Sequence, residues 1–156
     1  MLLLEEGRTA ADNWQRLAAE GLANPLPAGN WLIPRQDWEA AGRPRPAKGA
    51  RLALELEGDD DPEGLADLLP QLPLVAVRFP VATDGRGFSL LPWLRQLGYV
   101  GPVRATGDLR VDQLSALRRA GFASIELSDD VDLETAQRCL QRFGQLGTTP
   151  VRRAER

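Results

Sequence analysis

Leu52-Ala-Leu-Glu-Leu-Glu57 alternates with a period of two, Leu52, Leu54 and Leu56 on one side and Ala53, Glu55 and Glu57 on the other. Three later stretches repeat the pattern: Leu74-Val-Ala-Val-Arg-Phe79, Pro102-Val-Arg-Ala105 and Ala123-Ser-Ile-Glu-Leu127. Period two is the signature of a β-strand with unlike faces. The stretches predict strands at 52–56, 74–79, 102–105 and 123–127. The segments between them predict helices at about 62–69, 89–98, 109–120 and 131–145. Leu90, Trp93, Leu94 and Leu97 make one helical stripe, and Leu133, Ala136, Leu140 and Phe143 another. Cys139 falls beside the second stripe, as a buried structural thiol would.

Repeated strand–helix–strand units of this length imply a mainly parallel sheet with right-handed crossovers, an α/β fold. Strands covered by helices on both faces are apolar on both. Here Val75, Val77, Phe79, Val103, Ala105, Ile125 and Leu127 continue the apolar set. The alternate positions carry Arg78, Arg104, Thr106, Ser124, Glu126 and Ser128. The expected fold is therefore singly wound and partial-barrel-like, with helices on one face and Glu55, Arg78, Arg104 and Glu126 on the other. A doubly wound open sheet is the alternative.

The first fifty residues lack this regularity. Leu2–Leu4 could be a short strand and Trp31–Ile33 is another short apolar run, while Trp14, Leu17 and Ala18 recur at helical spacing. Proline and glycine break up the remainder, and Arg43, Arg45 and Lys48 sit in a segment that reads as a solvated linker. The expected organisation is an irregular N-terminal extension over 1–50 packed on the domain, a βα-repeat domain over 51–147, and a disordered tail at 148–156. The extension, or a second subunit, could cover the polar sheet face. Trp14, Trp31 and Trp38 either close the domain's own core or form an interface.

Composition limits the chemistry. The chain of 156 residues has no histidine, one cysteine and a net charge of -3. Serine–histidine, cysteine–histidine, HExxH and paired-cysteine sites are excluded within one chain, as is an intramolecular disulfide. The charge balance argues against nucleic acid as a partner. Met1-Leu-Leu-Leu4 is too short for a signal segment and no long apolar run follows, so a cytoplasmic protein without a membrane partner is expected.

In such folds the loops after the strand C-termini are the habitual site. Two of them, Glu57–Pro62 and Ser128–Asp130, fit ordinary helix initiation. Thr83-Asp-Gly-Arg-Gly-Phe-Ser89 differs, because two glycines flank Arg86 and allow close approach of a ligand. Its backbone N–H groups, with Arg86 and Arg78, could hold a small anion. A structural turn is the plainer alternative. The candidate site comprises Thr83, Asp84, Gly85, Arg86, Gly87, Arg104, Gly107, Asp108, Asp112 and Gln113. It is expected on two adjacent loops, with Arg86 or Arg104 facing Asp84, Asp108 or Asp112.

Phe79-Pro-Val-Ala-Thr-Asp-Gly-Arg-Gly-Phe-Ser89 and Leu94-Arg95 with Gly98-Tyr-Val-Gly101 resemble the signature of a known bacterial family. So do Val103–Asp108, Asp112-Gln113 and Arg119–Phe122. The family is catalogued as domain of unknown function 934, and the resemblance covers roughly residues 50–128. Its members are commonly labelled oxidoreductases of sulfite reduction and tend to be encoded beside assimilatory sulfite reductase. Val81-Ala82 stands where the family usually has Lys-Phe, which removes a positive charge from the loop, and Phe88 stands where Tyr is usual.

The resemblance implies an accessory protein of assimilatory sulfite reduction, within sulfur assimilation and cysteine synthesis, that binds a partner or a small anion. Implied partners are sulfite reductase or its electron donor, and a homodimer is a further expectation. One alternative is an oxidoreductase with a borrowed flavin or nicotinamide. Another is a structural interaction module. The residues name neither a catalytic group nor a cofactor.

Overall fold

The computed structural model describes residues 2–6, 8–17, 19–80, 85–128 and 130–139. Eight strands form one sheet: β1 (Leu2–Glu5), β2 (Arg8–Thr9), β3 (Gln15–Arg16), β4 (Gly29–Pro34), β5 (Ala50–Glu57), β6 (Val75–Phe79), β7 (Val103–Gly107) and β8 (Ser124–Leu127). Their order is β2-β1-β8-β7-β6-β5-β4-β3. From β3 to β8 neighbours in space are neighbours in sequence and run parallel. Such an order never reverses, so right-handed crossovers keep the helices on one face. The sheet is a curled, singly wound half-barrel, not the doubly wound alternative. Its parallel character stops at one edge, where β1 pairs antiparallel with both β8 and β2.

The period-two alternation sorts the faces as expected. Leu52, Leu54, Leu56, Val75, Val77, Phe79, Val103, Ala105, Ile125 and Leu127 all lie in the main core under the helices. Those helices include α1 (Arg35–Ala40), α2 (Arg86–Gln96) and α3 (Leu114–Ala120). Residues 133–139 are also helical and bury Ala136. Cys139 is half-buried rather than buried. Leu140, Phe143 and the tail expected at 148–156 lie outside the described residues.

Three expectations need correction. The helix placed at 62–69 is instead two short 3-10 turns, Pro62–Leu65 and Leu69–Gln71. Gly64 weakens a helix there, and Pro70 can neither donate its bond nor avoid the preceding turn. The helix placed at 109–120 begins as a 3-10 turn and becomes α-helical only at Leu114. The first fifty residues are not irregular, since they supply β1 to β4 and α1. The helical spacing at Trp14 and Leu17 was misleading, because Gln15–Arg16 is a strand beside β4.

Residues 8–17 run from β2 at one sheet edge to β3 at the other and cross the concave face. Trp14 packs there on Leu32, Ala53, Leu74 and Ala76, a small apolar cluster separate from the main core. Trp38 is buried in the main core, with its indole N–H donated to the Pro44 carbonyl at 3.0 Å, and Trp31 packs against that core. All three tryptophans therefore serve the chain's own packing.

Tyr99 closes the turn between α2 and β7. Its hydroxyl donates to the Pro102 carbonyl at 3.1 Å, and Arg95 donates to the Tyr99 and Gly101 carbonyls at 2.9 and 2.7 Å. Burial outweighs the opposing pull of Arg95 and pushes the phenol up to about 12. The folded chain therefore keeps a proton that the unfolded chain loses near pH 10, so stability falls as pH rises from about 10 toward 12. Denaturant melts across that range are expected to show this loss in the native chain and not in Tyr99→Phe.

Candidate functional site

Curling brings side chains from distant strands together. Flat, β5 and β8 would stand roughly 14 Å apart, three strand spacings. In the half-barrel one guanidinium joins them: Arg16 donates through Nη1 to Glu55 Oε2 at 3.0 Å and through Nη2 to Glu126 Oε1 at 2.8 Å. Arg104 donates through Nη1 to Glu126 Oε2 at 3.2 Å and Asp12 Oδ1 at 3.1 Å, and through Nε to Ser124 Oγ at 3.1 Å. The Thr106 hydroxyl donates to Glu55 Oε2 at 2.6 Å.

Glu55 and Glu126 are each 5% exposed and Arg104 is 3% exposed, so these charges are satisfied by one another rather than by bulk water. Burial disfavours the Arg16 cation, but Glu55 and Glu126 outweigh it and hold its pKa above the ordinary value. The expectation that Glu55, Arg104 and Glu126 share the face away from the helices is met. Arg78 lies on the same face nearer the rim, exposed, 3.4 Å from Glu57.

The described part of the first candidate loop, 85–89, and the start of the second, at Gly107 and Asp108, both pack against Phe79 at the end of β6. A Cβ at Gly87 would stand 2.6 Å from the Phe79 ring, so only glycine lets the start of α2 sit there. Gly107 has φ +101, and its Cβ would fall 2.2 Å from the Phe79 carbonyl oxygen. That oxygen accepts the Asp108 N–H at 2.8 Å. Phe88 and Phe122 pack edge-on against Phe79, with centroids 5.3 and 5.8 Å away.

Thr83 and Asp84 lie outside the described residues. Gly85 is exposed at the start of α2, and Arg86 is exposed with Nη1 3.7 Å from Asp59 Oδ2. Asp108 and Asp112 are exposed. Gln113 Oε1 accepts the Arg110 N–H at 2.8 Å and so caps the turn before α3. Arg104 does not face Asp108 or Asp112; it points into the concave network. Because exposed ion pairs contribute about 1 kcal/mol or less, Arg86→Ala is expected to leave the thermal midpoint nearly unchanged. A large fall in that midpoint would assign Arg86 a structural role.

Sequence reasoning missed the cleft beyond the strand C-termini of β4 and β5. It has a volume of about 390 Å³ and is lined by Arg35, Glu39, Glu55, Glu57, Asp60 and Asp61, among others. Arg35 is held by Glu39 and by the Asp61 carbonyl. The Arg35 hydrogen bond, with Arg43 also contributing against a burial penalty, keeps Glu39 below the usual carboxylate range. Asp60 accepts the Glu57 N–H at 2.7 Å, which folds the acidic loop back over the strand end. Among the described residues, no group of three or more His, Cys, Asp or Glu is arranged to hold a metal ion.

The acidic loop also approaches the N-terminus of α2, since a Cβ at Gly58 would lie 3.0 Å from the Gly87 nitrogen. Carboxylates thus stand beside both arginines considered for an anion, Glu57 by Arg78 and Asp59 by Arg86. Among the described residues, no helix is long and apolar enough to cross a membrane. A family model described as a bacterial protein of unknown function (DUF934) matches residues 53–153. No curated protein matches the chain at a significant level.

Proposed function

This chain belongs to the bacterial DUF934 family, and from that premise we propose that it is a binding accessory of assimilatory sulfite reduction. It docks on a partner protein through the acidic edge of its half-barrel. The pathway comes from the sequence resemblance, and the mode of action from the geometry.

The acidic cleft carries the proposal. Its lining carries Glu39, Glu55, Glu57, Asp60 and Asp61 against one arginine, Arg35; Arg43, Arg16 and Arg78 pair with Glu39, Glu55 and Glu57 from outside the lining, which leaves carboxylates in excess. Such a cleft repels sulfite and favours a positively charged surface. An enzyme that gathers an anionic substrate presents a positive approach, so sulfite reductase is the fitting partner.

The test is sulfite turnover by purified assimilatory sulfite reductase and its electron donor, with and without this chain. A changed rate or substrate affinity on addition, with no turnover by the chain alone, is expected. Turnover of sulfite or a reduced nicotinamide by the chain alone at an enzymatic rate would overturn the proposal.

A further inference from the structure

The segment that crosses the concave face is held by three side chains: Asp12 on Arg104, Trp14 on the small apolar cluster, and Arg16 on two buried glutamates. None of residues 8–17 is buried, and the Arg16 side chain is 43% exposed. The strands at its ends, β2 and β3, have two residues each. The groups that receive Arg16 are different. Glu55 and Glu126 belong to the sheet, are 5% exposed, and are fixed from behind by Thr106 and Arg104. The receiving site is thus rigid and buried, while its occupant comes from a thin, exposed edge segment.

We propose that Glu55 and Glu126 form a guanidinium-binding site that Arg16 fills as a tethered ligand, and that an external guanidinium group can take its place. The two acceptor oxygens receive separate nitrogens of one planar fork, at 3.0 and 2.8 Å. That geometry selects guanidinium over ammonium, which is a point charge without a fork. When residues 8–17 lift away, Arg104 gives up Asp12 and Trp14 leaves its cluster, while the Arg104–Glu126 and Thr106–Glu55 bonds hold the same carboxylates in place, facing solvent. The site takes either a small guanidinium compound or an arginine on a strand laid along β4, where β3 now lies. The site shares Glu55 with the acidic cleft but does not rest on the docking role of that edge.

Two probes titrated into full-length Arg16→Ala distinguish these sources: ethylguanidinium, and a peptide with the sequence of residues 8–17. Ethylguanidinium is expected to bind saturably, with ethylammonium at least about tenfold weaker at matched ionic strength. Tighter binding by the peptide assigns the site to an arginine on a strand, and ethylguanidinium alone assigns it to a small compound. Neither probe binding, or equal binding of both small cations, overturns the proposal. Should Arg16→Ala fail to fold, hydrogen exchange of residues 8–17 in the native chain replaces the titration. Ethylguanidinium must accelerate that exchange more than ethylammonium does, and equal exchange overturns the proposal.

Discussion

Arg104→Met lowers the unfolding free energy by about 3–5 kcal/mol, the usual cost of removing one partner from a buried ion pair. For a domain of this size that is a fall of roughly 10 °C in the thermal midpoint. Methionine matches much of the arginine stem, so the loss arises from charge and hydrogen bonds more than from volume. Glu126 loses the 3.2 Å contact from Arg104 while remaining 5% exposed, and Asp12 and Ser124 lose donors. The second variant Arg104→Met/Glu126→Leu is expected to recover part of the loss, because Arg16 then serves Glu55 alone instead of being the one guanidinium left for two buried carboxylates. A double variant less stable than the single one would show that Glu126 contributes by packing and not as a charge.

Gly107→Ala has a comparable effect for a different reason. The new Cβ would meet the Phe79 carbonyl oxygen at 2.2 Å and its carbon at 2.8 Å. Backbone cannot yield as a side-chain tip can, so β6 and β7 must part where their loops join. A loss of about 3–5 kcal/mol is expected. Gly98→Ala is the control, since Gly98 has a similar φ of +94 and nothing within 4 Å of its Cβ. It should cost only the left-handed backbone preference, about 1–2 kcal/mol. Equal losses in the two variants, measured by denaturant melts, would leave the Phe79 clash without a role.

The central strands were legible because each carries an alternation that only a two-faced sheet explains. The singly wound curl followed from Glu55, Arg104 and Glu126 at the alternate positions, which helices on both faces would not have tolerated. The N-terminal strands were not legible in the same way. Two residues, Gln15 and Arg16, hold no periodicity, and β3 exists because β4 offers an edge beside it. Trp14 and Arg16 do stand two apart and meet the same face, a signal hidden by the coincidental spacing of Trp14, Leu17 and Ala18. The turns at 62–71 were misjudged because the apolar residues Leu65, Leu68, Leu69 and Leu72 suggest a helix while Gly64 and Pro70 disrupt it. All four leucines still pack in or against the main core.

The candidate site was legible as a place more than as a set of contacts. Among the described residues, Gly87 of one loop and Gly107 of the other both meet Phe79, and glycine is required at each by close approach to it. The arginine partners could not be read locally. Arg104 pairs with Asp12, 92 residues away, and Arg16 with Glu126, 110 residues away. Arg35 and Glu39 reach the acidic cleft because β4 joins the sheet, and no nearby residue pattern announces that.

The acidic docking edge is tested most directly by titrating purified chain into assimilatory sulfite reductase at about 50 mM and about 500 mM salt. The native chain is compared with Glu39→Gln/Glu57→Gln, which removes two carboxylates from the cleft rim. Binding that is clear at low salt, weakened at high salt and weakened again in the double variant is the predicted result. No binding at low salt, or binding indifferent to both salt and the two carboxylates, would contradict the account.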